Sequence, residues 1–585
     1  MNCRKNLKEN HIKKTIYIAS LFLIGLATSC SDEFLETRPK AALSLEALKN
    51  RAGINYLLVG AYSLVDGVGA GTTSWHGSAD NWIYGSVASD DAYKGTIAGD
   101  QPEISLIEQK LIQPDNNHFR GKWQAVYDGV ARTNDVMILV DQVDELTDTE
   151  KTQIKAQARF LRGHYHFEAK KMWNMVPYID EKVYNPADLS STRVSNDKDI
   201  WSNIEADLKF ALDDLPETQT QKGRANKWAA AAMLGKAYMF QRKWADAKAQ
   251  FDAIVNTGRY KLMDRYVDNF RASTNNNTES IFEVQFSVND GAPGGENGNQ
   301  GATLNYPYGG GGVTTCCGFY QPSQNLVNSF KTQNGLPLFD TFNASDVKND
   351  QGIEANQPFT PDAGQFDPRL DHTVGRRGIQ FLDWGVHPGK PYIRDQAYGG
   401  PYSPRKHLMY RSDVGTNTFS GNPRLNANNY RMVRYAHVLL MLAEAEVELG
   451  NVARARDIVN QVRRRTANPD GFVKFADGKN AANYVINEYV ATDLAFSNTA
   501  NARQAVRFET RLELGMEGHR YFDLVRWGIA DQVLNAYYAV EKNKRTYFNG
   551  VTFIKGKHEY YPLPLQEIVN SQVGGKPTLK QNPNY

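Results

Sequence analysis

The side chains best suited to acid–base chemistry stand near the C-terminus, where Glu513, Glu517 and His519 follow one another closely. Glycoside hydrolysis needs two carboxyl groups that face each other across a cleft. These carboxylates instead share one predicted helix with several arginines, which favours ion pairs and bonds at the helix end. We therefore predict no catalytic residue. The residues expected in those pairs are Arg511, Glu513, Glu517, Arg520 and Arg526. The residues of this stretch expected in the core are Leu514, Phe522, Leu524 and Trp527.

The rest of the chain offers no recognisable reaction chemistry. It contains no zinc-type spacing of His and Cys, no nucleophile elbow and no phosphate-binding loop. No loop has the ligand spacing of a calcium site, although a bound calcium ion stays open as an alternative. We predict neither a metal nor a cofactor, and we interpret the remaining candidates as binding residues.

The first candidates lie in Ser74–Gly95, a loop rich in aromatic and short polar side chains. Aromatic rings stack on the apolar faces of sugars, while Asp, Asn and Arg bond to sugar hydroxyls. Loops on a rigid scaffold commonly carry such residues. Burial of these rings is the alternative, and Ala88–Asp91 is expected to be a structural turn. The predicted ligand contacts are Trp75, Asp80, Asn81, Trp82 and Tyr84.

Tyr306–Tyr320 is the second candidate stretch, because four consecutive glycines leave its backbone open and tyrosines flank them. Its adjacent cysteines could form a vicinal disulfide in an oxidising export route. That ring would be a rigid, apolar plate able to pack on a sugar face, and two buried thiols are the alternative. The flanking tyrosines are Tyr306, Tyr308 and Tyr320. The predicted ligand contacts are Tyr306, Cys316, Cys317 and Tyr320.

Arg376–Arg394 is the third candidate stretch, and it could close the site. Its arginines suit an anionic sugar or a carboxylate as well as a neutral ligand. Arg377 and Asp383 belong to the same stretch. The predicted ligand contacts are Arg376, Trp384 and Arg394.

The first 29 residues carry the positive charge of a chain whose formal net charge is +2. They hold five basic side chains and one acidic side chain, so 62 basic and 64 acidic residues remain without them. This balance gives no phosphate-binding surface, and we predict no nucleic-acid partner. The basic residues precede an apolar run, Ile16–Ala27, that is too short for a permanent membrane span and is typical of an export signal.

The apolar run ends in Leu26-Ala27-Thr28-Ser29-Cys30, which resembles the lipobox of bacterial lipoproteins. The resemblance implies cleavage before Cys30 and acylation of its thiol and new amino group, although Ala27 stands where the strict motif has Leu. An ordinary cleaved signal is the alternative. Acyl chains such as palmitate would hold the protein on a membrane surface. The acidic stretch Ser31–Glu33 is similar to the surface-export signal of Bacteroidetes lipoproteins.

Helical hairpins are expected to position the candidate loops. Arg224–Leu262 is predicted to form two helices, because apolar and small residues recur at helical spacing and fit the tetratricopeptide template. Gly235 lets the paired helices approach, and Phe251 fills the gap between them. One hairpin cannot bury its faces alone, so others must stack against it. The other template positions are Leu234, Tyr238 and Ala247. Further predicted helices are Leu45–Val65, Phe119–Val140, Thr149–Trp173, Asn196–Leu215 and Ala502–Trp527.

An irregular region interrupts these helices. Residues 270 to about 428 are rich in Gly, Pro, Asn and Tyr, and short apolar runs such as Ser280–Phe286 indicate small strands. Residues Tyr430–Arg465 fit the tetratricopeptide template again, so helices are predicted to resume at Tyr430. We predict a mostly α fold, with a tetratricopeptide-like scaffold and a large ligand-binding insertion of loops and short strands. The predicted segments are 1–29 (lipoprotein signal peptide), 30–44 (extended tether), 45–270 (N-terminal helices), 271–428 (insertion) and 429–585 (last repeat and C-terminal loops).

Several stretches, taken together and in this order, resemble the SusD/RagB family of outer-membrane nutrient-binding lipoproteins. Each is a moderate signal alone, but together they span nearly the whole mature chain. They are CSDEFL (30–35), AQARFLRGHYHFEAKKMWNMVPYI (156–179), the hairpin at 224–262, GFYQPSQNLVNSF (318–330), FDPRLDHTV (366–374), VRYAHVLLMLAEAEVELGN (433–451), TRLELGMEGHRYFDLVRWG (510–528), YYPLPLQEI (560–568) and the terminal LKQNPNY.

This resemblance implies about four tetratricopeptide-like units and a role as the lid of a TonB-dependent outer-membrane transporter of the SusC type. Such proteins capture oligosaccharides, or peptides in some branches, without chemistry on them. The Trp-rich loops favour a glycan, because glycans bind to flat aromatic surfaces. A peptide ligand, a surface glycosidase or peptidase, and a scaffold without a ligand remain alternatives. The expected location is the cell surface, with the protein anchored to the outer membrane by lipid.

Overall fold

The computed structural model describes residues 45–69, 74–309, 313 and 316–585. The predicted export signal, Cys30 and the tether lie outside these described residues, as do residues 310–312, 314 and 315. Within the described ranges, no helix is both long and apolar enough to cross a membrane. The α-helices, in chain order, are α1 (Arg51–Ser63), α2 (Pro102–Glu108), α3 (Asn117–Leu139), α4 (Asp148–Trp173), α5 (Trp201–Asp214), α6 (Lys227–Phe240), α7 (Trp244–Asn256), α8 (Gln324–Ser329), α9 (Leu370–Thr373), α10 (Gln396–Gly399), α11 (Tyr435–Glu448), α12 (Val452–Thr466), α13 (Thr499–Leu514), α14 (Arg520–Trp527), α15 (Ala530–Glu541) and α16 (Leu565–Asn570).

The strands of the described residues are short and pair two by two. They are β1 (Ala92–Gly95), β2 (Ser280–Val284), β3 (Phe319–Pro322), β4 (Thr332–Gln333), β5 (Leu336–Pro337), β6 (Gln365–Phe366), β7 (Val374–Gly375), β8 (Ser403–Pro404), β9 (Thr418–Phe419), β10 (Asn422–Asn426), β11 (Tyr430–Arg434), β12 (Asn483–Tyr484), β13 (Gln572–Val573) and β14 (Lys576–Pro577). β2 pairs antiparallel with β11, with Tyr430 opposite Val284, so the two ends of the insertion lie side by side. β1 pairs antiparallel with β3, with Gly95 opposite Phe319. This second pair joins the first candidate loop to the second.

Side-chain caps fix where two of the scaffold helices begin. Thr147 accepts a hydrogen bond from the backbone N–H of Glu150, whose carboxylate accepts in return from the N–H of Thr147. This capping box satisfies two amides that have no partner within the helix. Asn226 caps α6 by accepting from the backbone N–H groups of Trp228 and Ala229. Both starts lie within three residues of those expected from the sequence.

Two expected helices differ from the structure. Tyr430–Arg434 was expected to begin a helix, but it forms β11 because it pairs with β2. Ala502–Trp527 was expected to be one helix, but the chain turns between α13 and α14. Gly518 allows this turn, because its φ is +77° and a Cβ there would lie 1.6 Å from the carbonyl oxygen of Asp80.

Long helices that follow one another in the chain pack together, from α3 on α4 through to α6 on α7. α7 then packs against α11, across the whole insertion. A Cβ on Gly235 would lie 2.5 Å from Cε1 of Phe251, so the glycine lets α6 and α7 approach while the ring fills the gap. The expected mostly α, helical-repeat fold is confirmed. The number of repeat units remains a prediction.

A buried cluster of ion pairs ties the insertion to the scaffold. Glu513 on α13 accepts from Nη1 of Arg369 at 2.9 Å and from Nη1 of Arg434 at 2.6 Å. Glu517 accepts from Nζ of Lys406 at 2.8 Å. Burial alone would raise the pKa of Glu517, but the charges of Arg434 and Lys406 outweigh it and lower this pKa to about 2. The expected ion pairing of both glutamates is confirmed, and their partners come from distant segments.

Candidate ligand-binding surface

The three candidate stretches lie side by side in the structure. Trp82 donates from Nε1 to the carbonyl oxygen of Gly301 at 3.2 Å, and its ring centroid lies 5.6 Å from that of Tyr320. The first stretch therefore packs on the second. The backbone N–H of Tyr308 donates to the carbonyl oxygen of Tyr392 at 2.9 Å, which joins the second stretch to the third. Packing between distant segments thus gathers the candidates in one region.

Trp82 and Tyr84 are core residues, which corrects the expectation that their rings face a ligand. They are 0% and 1% exposed. Both belong to a π-helical turn, Trp82–Val87, in which every residue is buried. The hydroxyl of Tyr84 lies 2.7 Å and 2.8 Å from the carbonyl oxygens of His76 and His118. Neither ring has a free face to offer to a ligand.

The other residues of the first stretch differ in exposure. Asn81 is buried and donates from Nδ2 to Oε2 of Glu168 at 3.2 Å, so it is also structural. Asp80 is half-buried and accepts from the Ser78 hydroxyl at 2.7 Å, and burial raises its pKa. Trp75 is half-buried, and its indole N–H has no acceptor among the described residues. Trp75 therefore keeps its place as a candidate contact.

Tyr306 and Tyr320 are buried, which corrects the expectation that they form the ligand surface. Asn426 donates from Nδ2 to the hydroxyl oxygen of Tyr306 at 2.7 Å. The hydroxyl of Tyr320 lies 2.9 Å from that of Ser86. Burial removes water from both phenols and raises their pKa values. Their hydroxyls hold the second stretch on its neighbours.

Tyr308 presents its ring to solvent, with 39% of its surface exposed. The guanidinium carbon of Arg394 lies 5.2 Å from the centroid of this ring, a cation–π contact. Cys316 and Cys317 are joined by a disulfide, with Cys317 buried and Cys316 half-buried. A Cβ on Gly318 would lie 3.3 Å from Cβ of Tyr308, so the segment that follows the disulfide passes beside this ring.

Arg394 is held in place by the loop that follows β1. Its Nη1 donates to Oδ2 of Asp100 at 2.5 Å and to Oγ1 of Thr96 at 2.9 Å. Lys94 fixes this loop by donating from Nζ to the carbonyl oxygen of Asp100 at 2.7 Å. Residues 96–101 contain no aromatic side chain, so no sequence pattern indicated this loop. We call the resulting patch the Tyr308 surface, and its members are Thr96, Asp100, Tyr308, Cys316 and Arg394.

The two other candidates of the third stretch do not share one role. Arg376 is buried and donates from Nε and Nη2 to the two carboxylate oxygens of Asp371, at 2.6 Å and 2.8 Å. Its expected ligand role is therefore corrected to a structural ion pair. Trp384 is half-buried and donates from Nε1 to the carbonyl oxygen of Met409 at 3.1 Å. It packs on a small apolar cluster that includes Tyr306.

The Tyr308 surface combines a ring face with donors and acceptors of fixed direction, which is the chemistry that sugar faces and hydroxyls require. Its one carboxylate, Asp100, is already paired with Arg394. The arrangement therefore lacks the two opposed carboxyl groups of a glycosidase. Over the described ranges, no group of three His, Cys, Asp or Glu side chains could hold a metal ion.

Two family models match this chain. The model described as "SusD family" matches residues 278–585. The model described as "Starch-binding associating with outer membrane" matches residues 33–239.

Similar proteins match almost the whole chain. SusD-like protein P25 of Formosa agariphila is 26% identical over 577 residues, covering 94% of this chain and 96% of that protein. A structure named "Laminarin binding SusD-like protein" has a TM-score of 0.63 at 24% identity and covers 92% of this chain and 100% of its own. Surface glycan-binding protein A from Bacteroides thetaiotaomicron, in complex with laminarihexaose, has a TM-score of 0.61 at 21% identity with the same coverage of both chains. Since the first family model covers more than half of the residues, the chain belongs to the SusD family.

Proposed function

We propose that this protein is a lipid-anchored glycan-binding protein of the cell surface, which captures an oligosaccharide and delivers it to a TonB-dependent outer-membrane transporter. The observation that carries the proposal is the exposed ring of Tyr308 beside the fixed guanidinium of Arg394. Membership of the SusD family supports it. So do two structural neighbours, one named for laminarin binding and one bound to laminarihexaose.

Each group of the Tyr308 surface has a defined part in this binding mode. The ring of Tyr308 stacks on the apolar face of a sugar. Arg394 uses Nη1 for Asp100 and Thr96, so Nε and Nη2 can donate to sugar hydroxyls. Cys316 stands two residues before Gly318, whose backbone passes beside Tyr308, and we propose that its disulfide adds an apolar edge to this surface. Because the ion pair fixes the guanidinium before the ligand arrives, little side-chain entropy is lost on binding.

Trp75 and Trp384 are the two further candidates that could extend the surface, since both are half-buried. Trp75 belongs to the first candidate stretch and Trp384 to the third, and we propose that longer oligosaccharides reach from the second stretch to one of them. This extension predicts that affinity rises with the number of sugar units.

Delivery to a transporter and anchoring through Cys30 complete the proposal. The second family model, whose description names association with the outer membrane, begins at residue 33, just after Cys30. Cys30→Ala should release the protein from outer-membrane fractions without loss of glycan binding. Deletion of the partner transporter should leave surface binding intact and abolish uptake of the bound glycan.

A peptide ligand and a glycosidase activity are the competing functions. A peptide would use the charges of Arg394 and Asp100, but it would not need a flat ring. A glycosidase would need a second free carboxylate, while Glu513 and Glu517 lie buried in ion pairs. We propose that the protein leaves its ligand chemically unchanged.

A binding assay decides among these functions. It tests the mature protein against arrays of neutral glycans, acidic glycans and peptides. We expect saturable binding to one glycan class and no shortened products after prolonged incubation. Binding to peptides alone would replace the glycan proposal with peptide capture. Shortened glycans would instead identify an enzyme.

A further inference from the structure

A groove with one unpaired guanidinium group lies on the side of α13 that faces α14 and α15. It has a volume of about 490 Å³. Three of its four arginines are neutralised by carboxylates. Arg503 pairs with Glu448, while Arg511 and Arg520 both pair with Asp90.

The fourth arginine, Arg507, has no hydrogen-bond acceptor or ion-pair partner among the described residues. Its Nε is buried and lacks a partner, and its guanidinium lies 4.9 Å from the ring centroid of Trp527. Two carboxylates are near enough to attract it, Glu444 and Glu448. Arg526 donates to both oxygens of the first, at 2.7 Å and 2.8 Å.

The other carboxylate is also occupied, because Arg503 donates to both oxygens of Glu448, at 2.6 Å and 2.9 Å. Burial lowers the pKa of Arg507 to about 10, which still leaves it charged at neutral pH. Arg526 also pairs with Asp523 at 2.8 Å, so the carboxylates near the groove balance its arginines in number. Arg507 is nevertheless the arginine of this groove that no carboxylate contacts directly among the described residues.

Apolar side chains form the walls around this cation. Phe508 packs edge-on against Phe339 and Phe342, with ring centroids 5.3 Å and 5.5 Å away. Val533 and Val540 line the opposite side, and the second is 36% exposed. Polar side chains at the rim are already bonded, as Gln504 donates to Asp340 at 2.7 Å. Such walls suit aliphatic or aromatic side chains better than sugar hydroxyls.

We propose that this groove binds an acidic peptide segment of a partner protein. An Asp or Glu of the segment pairs with Arg507, and a neighbouring apolar side chain packs against Phe339, Phe508 and Val540. A partly buried arginine that gains a carboxylate forms a charge-assisted hydrogen-bonded pair. The Tyr308 surface shares no residue with this groove, so the two sites are expected to bind independently.

A random hexapeptide library selected on the immobilised mature protein tests the proposal without choosing a ligand in advance. We expect enriched peptides to carry Asp or Glu beside Phe, Leu, Ile or Val. The affinity of the best peptide should fall at least tenfold for Arg507→Met, and equally when its acidic residue is replaced by the amide. Combining Arg507→Met with the amide peptide should lower the affinity no further than either change alone. The affinity of Arg507→Lys should stay within about threefold of that of the wild type.

The same variants separate a binding role from a structural one. Since Arg507 has no direct ion pair or hydrogen bond to lose, and Met can keep the contact with the Trp527 ring, Arg507→Met should melt at nearly the same temperature as the wild type. The proposal would be overturned if the selected peptides lacked Asp and Glu, or if the best peptide still bound to the Arg507→Met variant with unchanged affinity. Displacement of the peptide by galacturonate oligosaccharides would assign the groove to an acidic sugar and would overturn it as well. Unchanged glycan binding in Arg507→Met is expected in every case.

Discussion

Arg369 and Glu513 share a hydrogen bond of 2.9 Å that spans 144 positions of the sequence, and both side chains are fully buried. The first lies in the insertion and the second near the end of α13. Arg434 and Arg465 converge on the same carboxylate. The irregular part of the chain is thus fixed to the helical part by charge as well as by apolar packing.

Glu513→Gln should be among the most destabilising single changes in this protein. It leaves three buried guanidinium groups without their shared counter-charge, and breaking a buried pair costs about 3–5 kcal/mol. Urea unfolding monitored by circular dichroism measures the loss. Glu488→Gln is the matched control, because Glu488 pairs with Arg464 at 2.7 Å on the exposed surface. An exposed pair contributes below about 1 kcal/mol. Similar losses for the two variants would contradict the assigned role of the cluster.

Glu517 should make the fold sensitive to acid. Its pKa is about 2 in the folded protein, against about 4.3 in an unfolded chain. A carboxylate with a depressed pKa adds stability that is complete above about pH 4.3 and is lost as the pH falls towards 2. The difference in melting temperature between the wild type and Glu517→Gln should be constant from pH 7 to 5 and should shrink below pH 4. Calorimetry at stepped pH measures it, and a difference that persists to pH 2 would refute the assignment.

Gly235→Ala should destabilise the scaffold although alanine favours helices. The new Cβ would lie 2.5 Å from Phe251, and overpacking of this kind costs about 1–3 kcal/mol. Gly60→Ala, within α1, is the control, since its Cβ would meet only Nη1 of Arg132 at 4.0 Å. That change should stabilise the helix by about 0.5–1 kcal/mol. Thermal unfolding should show a lower melting temperature for Gly235→Ala and a higher one for Gly60→Ala. A change in the same direction for both variants would count against close packing of α6 on α7.

Tyr308→Ala should lower the affinity for the glycan ligand at least tenfold, because the stacking face is lost. Arg394→Gln should lower it by a similar factor through the lost donors. Isothermal titration calorimetry measures both, with Tyr56→Ala, an exposed tyrosine on α1, as the control. Unchanged affinity in both variants would remove the Tyr308 surface as the binding site.

Cys316 and Cys317 should resist alkylation in the unreduced, denatured protein. The structure joins them in a disulfide, so iodoacetamide should react with both only after reduction. Intact-mass spectrometry of the mature chain reports the difference. Two alkylated cysteines before reduction would remove the disulfide from the proposed surface.

The scaffold could be predicted from the sequence because its signals are local. Gly235 and Phe251 stand at fixed positions of a repeat template, and their contact follows from helix geometry alone. The binding residues were harder to predict. Trp82 lies in a loop by local composition, yet its partners are Gly301 and Tyr320, more than 200 positions away. No local pattern encodes such contacts.

The dependence on distant contacts also explains why the sequence did not identify Tyr308 as a ligand contact. Tyr308 is chemically identical to Tyr306, two positions earlier, and nothing in the sequence separates them. The structure buries one against Asn426 and leaves the other beside Arg394. Thr96 and Asp100 lie in a segment without aromatic residues, so only the three-dimensional structure shows that they contact Arg394.

The antiparallel pairing of β2 with β11 brings residues 284 and 430 opposite each other. The chain therefore enters and leaves the insertion at adjacent positions. Recombination between related genes could replace the whole segment without moving the helices on either side of it. A replacement segment would lose two of the cations that contact Glu513 and Glu517, Arg369 and Lys406, unless it supplied its own, while Arg434 would remain. If the Tyr308 surface binds the ligand, such an exchange would replace Tyr308, Cys316 and Arg394 but keep Thr96 and Asp100, so the new loops would have to fit this unchanged part of the site.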